Sequence, residues 1–414
     1  MTFKQTAVRA AAALALGAAL IPAHATNGYF SHGYGIKAKG MGGAGVALAQ
    51  DGFAGANNPA QSAFAGNRYD VGVDLFMPER ETSRSGAVMG NGSSKSGSEY
   101  FFVPEFGYNN VINDQLSMGL TVYGNGGMNT DYKHGNTNLF GTSDVGVDLM
   151  QLIIAPTLAL KLNAQHSVGV SPLIVYQTFS AQGLQNFNNS TYTSSVGSVT
   201  NNGTDSSTGL GVRVGYFGRL TNHLSVGASY SPKINMSRFK KYEGLFAEKG
   251  DFDIPANYTL GMAFQVTPAV QVALDYQRIE YGDVKAIANQ HTIAAGTKLG
   301  NVDGSGFGWS DINAIKLGVQ WQANDAWTLR AGYNKGDNPV NADNVTFNIL
   351  APGVVQEHLT LGATMKLDAA SEISAGYMHA FNNSVTGISK AGAGGTENIK
   401  MKQNSLGVQY SRQF

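Results

Sequence analysis

The stretch that decides the fold is Thr26 to Ala60, TNGYFSHGYGIKAKGMGGAGVALAQDGFAGANNPA, in which glycine recurs throughout. It has too few large apolar side chains to pack a core of its own, and only Val46 to Gln50 has a brief helical pattern. Asn58-Pro59-Ala60 ends it with a turn signal, because proline fixes its own φ and keeps the preceding residue extended. We therefore expect this segment to fold inside the chain that follows, as a plug at the mouth of a barrel.

The composition is that of a strand-rich chain with few charges. Among 414 residues there are 53 glycines and no cysteine, and charged residues make up 14%. This is too few charges for an ordinary soluble surface, where about 25% is usual. A formal net charge of +0 gives no electrostatic reason to bind nucleic acid. The lack of cysteine excludes disulfides and thiolate metal sites.

Residues 1–25 have the pattern of a secretory signal peptide. Basic residues precede an apolar run at residues 10–21, and Ala23-His24-Ala25 has the small residues of a cleavage site. The alternative is an uncleaved membrane anchor, which needs about 20 apolar residues, more than this run has. An exported, glycine-rich chain with amphipathic strands indicates the outer membrane of a Gram-negative cell.

The rest of the chain alternates apolar and polar residues with a period of two. Such alternation is required of a strand with one face toward lipid and the other toward a lumen, over about 9 to 11 residues. It predicts an all-β fold, a transmembrane antiparallel barrel of about fourteen strands over residues 67–414, an even number as in bacterial single-chain barrels. The predicted strands are 69–78, 98–109, 115–124, 148–161, 166–180, 208–219, 222–232, 255–266, 269–281, 312–323, 326–334, 355–367, 371–382 and 402–414.

The predicted connections alternate between short and long. Outer-membrane barrels require this order, because their periplasmic turns are short and their extracellular loops are long. A soluble β-sandwich has no reason to keep it. The order places both chain termini in the periplasm, with the plug entering from that side.

The glycine-rich segment, Asn58-Pro59-Ala60, the strand count and the stretch Tyr123 to Tyr132, YGNGGMNTDY, together resemble the FadL family of outer-membrane transporters for hydrophobic compounds, which includes an aromatic-hydrocarbon branch. The resemblance spans the whole mature chain. It implies an N-terminal hatch, residues 26–66, inside a fourteen-stranded barrel, with Asn58, Pro59 and Ala60 as part of that hatch. It also implies sideways release of substrate through a gap made by a kink in the third strand, here at Gly124, Asn125, Gly126 and Gly127.

The glycines of this kink have two interpretations. They interrupt the hydrogen-bond ladder, since glycine inside a strand often marks a bulge or a close approach. Alternatively, they only begin the loop after the third strand. A sideways route is physically reasonable because it avoids releasing an apolar solute into water, which costs about 0.8 kcal/mol per CH₂.

Four residues are expected to contact substrate. Tyr29 and Phe30 are predicted to line the ligand pocket. Family members that carry fatty acids hold the carboxylate with basic groups in the lumen, but the stretch from Val175 to Thr178 contains none. Lys316 and Lys366 are candidate substitutes, or else partners in lumen ion pairs. Long-chain fatty acids are the first expectation for the substrate, and aromatic or alkane hydrocarbons are the alternative.

Rival functions find less support. Gly40 to Gly45 fits the dinucleotide fingerprint G-x-G-x-x-G but lacks the strand before it and the full helix after it. The eight histidines show no ligand spacing, and no G-x-S-x-G elbow is present, so we expect no metal, no cofactor and no enzymatic activity. A general porin is the stronger competitor, although it has no need of a glycine-rich plug.

We therefore expect a monomer that moves hydrophobic compounds passively across the outer membrane, in contact with its lipid and lipopolysaccharide. Capture is expected among the long loops, where apolar side chains either form a landing groove or only pack the loops together. The residues concerned are Leu139, Phe140, Leu184, Phe187, Leu245 and Phe246.

Overall fold

The computed structural model describes residues 27–88, 90–133, 144–292, 297–390 and 394–414. The signal peptide predicted at residues 1–25 and the candidate groove residues Leu139 and Phe140 lie outside these ranges. In the described ranges, no helix has both the length and the apolar character needed to cross a membrane.

Fourteen antiparallel strands close into a barrel, because each pairs with its neighbours in the chain and the last pairs with the first. Closure pairs the first strand with the last, so neither is left as an open edge, whose unpaired backbone groups lipid could not satisfy. A further short strand, Gly92–Lys95, pairs with the end of β1. The barrel strands are β1 (Arg68–Ser85), β2 (Phe101–Val111), β3 (Leu116–Tyr132), β4 (Val145–Lys161), β5 (His166–Gln182), β6 (Asp205–Arg219), β7 (Leu224–Ser231), β8 (Asn257–Thr267), β9 (Val270–Ile279), β10 (Ile312–Gln322), β11 (Trp327–Gly336), β12 (Glu357–Lys366), β13 (Ser371–Ile388) and β14 (Thr396–Gln413).

The strands are joined alternately by short turns at one end of the barrel and long loops at the other, as the sequence predicted. We call these the short-turn end and the long-loop end. The C-terminus lies at the short-turn end, where the backbone N–H of Phe414 donates to the carbonyl of Asn67 at 3.1 Å.

The predicted and observed strands overlap throughout, and the largest differences lie at the long-loop end. There β1, β3 and β13 run on to Ser85, Tyr132 and Ile388, and β14 begins at Thr396. The apolar alternation stops where the outer face becomes polar, as at the exposed Glu79–Lys402 ion pair, but the backbone ladder continues. Gly124 to Gly127 are therefore part of β3 and do not begin a loop.

The two faces of the wall differ as the alternation predicts. Outward-facing Leu361 and Leu406 are 54% and 50% exposed, whereas Thr360 and Gln409 on the inner face are fully buried. The apolar outer face suits lipid. The polar inner face needs hydrogen-bonding partners, because buried polar groups without them are costly.

Residues 27–67, which we call the N-terminal segment, lie inside the barrel and supply those partners. Nearly all of them are buried. The segment contains only short helices, namely α1 (Ile36–Lys39), α2 (Ala54–Asn57) and the 3₁₀ helix Pro59–Phe64. Asn58 caps the 3₁₀ helix, since its Oδ1 accepts a hydrogen bond from the N–H of Ala60 at 3.1 Å.

The long loops pack together into an apolar core that covers the long-loop end. Leu184, Phe187, Leu245 and Phe246 are buried in it. They therefore pack the loops together, and the prediction that they form an exposed landing groove is wrong. The short helices of these loops are Gln185–Phe187, Lys240–Tyr242, Ala247–Gly250, Tyr281–Asp283, Lys285–Ala288, Ala342–Asn344 and Val345–Asn348.

Glycines on the inner face let the N-terminal segment lie directly against the strand backbones. A Cβ added to Gly332 on β11 would lie 2.0 Å from the nitrogen of Gly42, and one added to Gly227 on β7 would lie 2.0 Å from the carbonyl oxygen of Val46. Any side chain at these positions must push the segment away. Comparable close approaches to the segment occur at Gly107, Gly126, Gly169, Gly215, Gly261, Gly318 and Gly407, each on a different strand.

We expect Gly332→Ala to loosen the N-terminal segment without unfolding the barrel. The new methyl group would overlap Gly42, and overpacking of this kind costs about 1–3 kcal/mol, which favours the undocked segment by roughly fivefold or more. The measurement is the rate at which an added protease cleaves within residues 27–67 while the protein stays heat-modifiable on gels.

Gly72→Ala is the matched control. Gly72 also faces inward, but the nearest atoms to its Cβ would be the carbonyl oxygen of Val408, at 3.4 Å, and the side chain of Gln409, at 3.6 Å, which are ordinary contacts with the wall and not with the segment. Cleavage of Gly332→Ala at the rate of the parent protein would contradict the close packing of segment and wall.

Candidate functional site

The barrel wall is interrupted between β2 and β3. Their pairing runs from Val111↔Ser117 to Phe106↔Val122 and stops there, although both strands continue. Farther along, Tyr132 of β3 bridges to Ser96 beyond the start of β2. Between these two points, residues 101–105 of β2 and 123–130 of β3 border a stretch without ladder hydrogen bonds between the two strands, which we call the wall opening.

A bulge at Asn125 lies at the edge of the wall opening. The register of β3 on β4 shifts between Gly124↔Leu152 and Gly126↔Gln151, which leaves Asn125 without an opposite residue. An extra residue bends a strand and increases its twist, and such bulges are common beside functional sites. The predicted kink residues Gly124, Asn125, Gly126 and Gly127 thus all lie at this edge. Their role in sideways release stays a prediction.

Three residues of the N-terminal segment cover the free edge of β3 from inside. Phe30 forms a bridge with Gly126, the N–H of Gly127 donates to the carbonyl of Tyr29 at 3.1 Å, and the N–H of Ser31 donates to that of Asn125 at 3.1 Å. Tyr29 to Ser31 therefore act as a short added strand that satisfies backbone groups β2 does not reach. In this state the segment closes the opening.

Side chains tie the bulge to the rest of the N-terminal segment. The hydroxyl of Tyr34 donates to the carbonyl and to Oδ1 of Asn125, at 3.2 and 3.1 Å. The ring of Tyr34 packs edge-on against that of Tyr123, with centroids 4.6 Å apart. Arg213 donates both to the Tyr123 hydroxyl, at 3.1 Å, and to the carbonyl of Gly55 in α2, at 3.2 Å. Movement of the segment and a change at the bulge are thereby linked.

A row of amides leads from the bulge to a long loop. Asn125 Nδ2 donates to Gln151 Oε1 at 2.9 Å, and Gln151 Nε2 donates to Gln177 Oε1 at 3.0 Å. Gln177 Nε2 then donates to the carbonyl of Phe252 at 2.9 Å, in the loop between β7 and β8. This inner-face network holds β3, β4 and β5 in place beside the opening.

An apolar cleft adjoins the wall opening on the lumen side. The empty space of about 320 Å³ includes some that is open to solvent, and its water-accessible part is only about 20 Å³, room for about one water molecule. A ligand must therefore displace a side chain to enter. The cleft is lined by Tyr29, Phe76, Arg80, Gly127, Met128, Asn129, Trp309, Ala351, Pro352, Gly353 and Met401.

Aromatic rings cluster around Tyr29 at the edge of this cleft. Its ring centroid lies 5.3 Å from that of Tyr281 and 6.2 Å from that of Trp309. The hydroxyl of Tyr281 accepts from the N–H of Tyr29 at 3.1 Å and donates to the carbonyl of Asn27 at 2.7 Å. Burial raises the pKa of both tyrosine hydroxyls well above the ordinary value, so both stay neutral.

Buried ion pairs hold α1 against the wall. Lys39 Nζ lies 3.0 Å from Asp74 Oδ2 and 2.5 Å from Glu105 Oε1, and Lys37 pairs with Glu372. Burial disfavours the charged form of Lys39, but the two carboxylates outweigh it and raise the pKa of Lys39 above its ordinary value. The wall thus supplies the acids and the segment supplies the cations.

Asn58, Pro59 and Ala60 attach the end of the segment to β5 and β6. Asn58 Nδ2 donates to the carbonyl of Tyr216 at 2.8 Å, and Ser167 Oγ donates to the carbonyl of Ala60 at 2.8 Å. Asn58 and Ala60 are fully buried. The tripeptide is therefore an anchor in this state, and its gating role stays a prediction.

The structure separates the four residues predicted to contact substrate. Tyr29 lines the cleft, and Phe30 packs beside it, with ring centroids 5.2 Å apart. Lys316 instead donates to the carbonyl of His32 at 2.8 Å, and Lys366 lies beside Asp368 at the short-turn end. Contact of these lysines with substrate stays a prediction.

Arg80, the cation that lines the cleft, was not among the residues predicted from the sequence. Arg80 is on β1 with the same inward parity as Asp70 and Asp74. The predicted strand ended at residue 78, since the apolar half of the alternation ends there. Extending the inward-facing positions of β1 by two residues, from 78 to 80, would have placed Arg80 on the inner face.

His32 and His358 stack inside the barrel, with ring centroids 6.0 Å apart. Burial, with smaller contributions from His358 and Lys39, lowers the pKa of His32 well below its ordinary value, so His32 is neutral. Within the described ranges, no three histidine, aspartate or glutamate side chains are grouped to hold a metal ion.

A second, larger space opens at the short-turn end, below the N-terminal segment. Its water-accessible volume is about 670 Å³. Its lining is mainly polar, and neither Tyr29 nor Arg80 contributes to it. Its amide and basic side chains are Lys37, Gln50, Gln165, Arg219, Asn222, Gln265, Gln271, Gln320 and Arg330.

Comparison with protein families matches residues 22–414 to the family described as outer membrane protein transport protein (OMPP1/FadL/TodX). Comparison with curated proteins gives no match. Similar solved structures include the P. putida toluene transporter TodX, which is 20% identical to this chain. The match covers 92% of this chain and 99% of TodX, with a TM-score of 0.69. A Pseudomonas aeruginosa FadL homologue is 17% identical, and the match covers 94% of this chain and 100% of the homologue, with a TM-score of 0.71. The Ralstonia pickettii toluene transporter TbuX is 16% identical, and the match covers 92% of this chain and 99% of TbuX, with a TM-score of 0.64.

We expect Lys39→Met to release α1 from the wall. The change leaves the Asp74 and Glu105 carboxylates buried without their cation, which typically costs about 3–5 kcal/mol. Protection of the amides in residues 27–67 against hydrogen exchange should therefore fall by at least about a hundredfold. Hydrogen exchange followed by mass spectrometry measures it.

The control is Lys335→Met, which removes an ion pair with Glu357 at 3.0 Å that is largely exposed. Exposed pairs are worth only about 0–1 kcal/mol, so protection should stay close to that of the parent. Equal protection in the two variants would show that the buried pairs do not hold the segment.

Proposed function

The chain belongs to the OMPP1/FadL/TodX family of outer-membrane transport proteins, and we propose that it releases hydrophobic compounds sideways into the membrane through the wall opening between β2 and β3. The observation that carries the proposal is the loss of ladder pairing beyond Phe106↔Val122, next to the apolar cleft. The interruption leaves a stretch of wall beside the cleft in which no ladder hydrogen bonds join the two strands.

An apolar solute in the cleft has two ways out. One leads through the opening to lipid, and the other leads past the N-terminal segment to the polar space at the short-turn end. Entering the polar space exposes the solute to water again, at about 0.8 kcal/mol per CH₂. The sideways route keeps the solute in apolar surroundings and is favoured for that reason.

The N-terminal segment serves as the hatch in this proposal. Tyr29 to Ser31 cover the free edge of β3 at Asn125 to Gly127, so withdrawal of these residues begins to clear the opening. Asn58, Pro59 and Ala60 stay bound to β5 and β6 and act as the pivot. A general porin, the main competitor, needs an open lumen, and the buried segment argues against it.

The orientation proposed is short turns and both termini toward the periplasm, with long loops outside. Its support is the strict alternation of connection lengths, which is usual for outer-membrane barrels. The lipid-facing outer wall then lies in the outer membrane, against its lipid and lipopolysaccharide. A monomer suffices, because one chain supplies the opening, the cleft and the hatch.

For the substrate, we propose compact aromatic compounds ahead of long-chain fatty acids. The cleft is narrow and lined by rings, which suits a single ring better than an extended chain. The structurally similar TodX and TbuX are described as toluene transporters, which supports the same choice. The order is therefore the reverse of the first expectation from the sequence.

We expect a disulfide across the opening to stop uptake. The natural chain has no cysteine, so Val103→Cys with Gly124→Cys gives a single pair. A Cβ on Gly124 would lie 3.2 Å from Val103 Cγ1, the kind of position that the Sγ of a cysteine at 103 would take, so the two sulfur atoms come within bonding reach. Toluene uptake by cells that carry the oxidised variant should fall to background, and reduction should restore it.

The matched control is Leu75→Cys with Phe102→Cys, which joins opposite residues of β1 and β2 where the ladder is intact. Its oxidation should leave uptake unchanged. Uptake that continues through the oxidised Val103→Cys/Gly124→Cys variant would refute sideways release at this opening. Absence of toluene uptake by the parent protein would refute the proposed substrate class.

We expect Asn58→Ala to lower uptake while the barrel stays folded. The change removes an amide that donates to the carbonyls of Val46 and Tyr216 at 2.9 and 2.8 Å. Leaving buried acceptors unsatisfied costs about 1–3 kcal/mol, enough to reduce the population of the anchored hatch roughly fivefold or more. Toluene uptake and heat-modifiability are measured together, with Asn113→Ala in an exposed turn as control. Unchanged uptake in Asn58→Ala would count against the pivot.

A further inference from the structure

We propose that the cleft beside the wall opening is a carboxylate site, in which Arg80 binds the acid group of a compact aromatic acid. This inference rests on the proposed function and narrows its substrate class. It begins from the unusual state of one side chain on the inner face of β1.

Arg80 is buried but only partly hydrogen-bonded. Its side chain is 4% exposed, and Nη1 donates to the carbonyl of Asn129 at 2.6 Å. No described residue accepts a hydrogen bond from Nε or from Nη2. A buried guanidinium with unmatched donors is costly, so a partner from outside the chain would be strongly stabilised there.

Other cations on the same face of the same strand have acids as partners. Arg68 binds Asp70 through two hydrogen bonds at 2.9 and 2.8 Å, and Arg84 binds Glu397. Arg80 lies between them in β1, and no described carboxylate forms an ion pair with it. The inner face thus supplies a hydrogen-bonded acid for Arg68 and for Arg84, whereas Asp131 and Asp148 lie near Arg80 without pairing with it, so its free donors are left to a ligand.

The free donors have the right arrangement for a carboxylate. Nε and Nη2 form one edge of the guanidinium, and that edge matches the two oxygens of a carboxylate in a bidentate pair. The ring of Phe101 lies 5.6 Å from the guanidinium carbon and supports the group through a cation–π contact. Arg80 also lines the cleft itself, so an acid in the cleft lies within its reach.

Most of the other residues that line the cleft are apolar, so they favour an acid whose remaining part is apolar. Phe76, Met128 and Met401 line the cleft together with the rings of Tyr29 and Trp309. The water-accessible part of the cleft is only about 20 Å³, far below the range of about 300–1,000 Å³ for ligand pockets, so an acid enters only as lining side chains move aside. A smaller apolar body requires less displacement, which favours one ring with a short substituent over a long acyl chain.

The site also lies on the proposed route. Gly127 and Met128 belong both to the cleft and to the free edge of β3. Tyr29 lines the cleft and also covers that edge. A ring that enters the cleft must therefore displace Tyr29, and displacement of Tyr29 begins to clear the opening.

The test is calorimetric titration of the full-length protein in detergent with two matched probes. The acid probe is 4-ethylbenzoate, and the neutral probe is 4-ethyltoluene, in which a methyl group replaces the carboxylate. We expect the parent protein to bind the acid at least about tenfold more tightly than the hydrocarbon, because only the acid pairs with Arg80. Arg80→Met should lose this preference while its affinity for the hydrocarbon changes by less than about twofold.

Two further variants keep the test decisive. Arg80→Lys keeps the charge but not the bidentate edge, so its preference for the acid should be intermediate, and it serves if Arg80→Met fails to fold. Lys335→Met removes an exposed cation outside the cleft and should leave both affinities unchanged. Equal affinity of the parent for both probes, or an undiminished preference in Arg80→Met, would overturn the carboxylate site but leave toluene uptake standing. Failure of the parent to take up toluene would instead overturn the proposed function.

Discussion

The backbone of the N-terminal segment lies directly on the backbone of the barrel wall, and the rest of the structure depends on this contact. It is possible because the inner face presents a glycine on strand after strand, as at Gly227 and Gly332, where a single Cβ would collide with the segment. At this distance, wall side chains such as Asp275, Glu105 and Thr360 reach the segment's N–H groups and satisfy them. The segment in turn supplies partners that the buried polar groups of the inner face require.

The same contact explains how a closed wall can carry an opening. Beyond Val122, β3 has no ladder to β2, and in a lipid environment such an edge is costly. Tyr29 to Ser31 offset that cost from inside with a few backbone hydrogen bonds. Each of these is worth only about 0.5–1.5 kcal/mol net, so the cover is weak enough to be removed without breaking the barrel. The ion pairs of α1 and the anchor at Asn58 hold the remainder of the segment while its first residues move.

Some of this arrangement was predictable from local patterns. Alternation located the strands because lipid and lumen impose a period of two, and Gly124 to Gly127 were recognisable as unsuited to a regular strand. Apolar–polar alternation no longer marks a strand where its outer face becomes polar. The predicted ends of β1 and β3 were therefore too early, and Arg80 was missed. Alternation also gave no guide to the loops. Phe187 and Phe246 are apolar loop residues that were expected to form an exposed patch, but they lie in the loop core. Burial in a loop depends on contacts with distant parts of the chain, which local patterns do not reveal.

The sequence by itself determined an all-β barrel, its alternating connections, a glycine-rich stretch at Gly124 to Gly127 unsuited to a regular strand, and a glycine-rich segment that cannot fold alone. These follow from local chemistry, namely the period of side chains along a strand and the missing Cβ of glycine. Only the tertiary structure decided where β2 and β3 part, which residues cover that edge, and that Arg80 faces an apolar cleft without an acid partner while Arg68 and Arg84 have theirs. The physical reason is that strand register and barrel closure bring together residues far apart in the chain, such as Tyr29 and Gly126 or Arg84 and Glu397. No local pattern encodes those pairings.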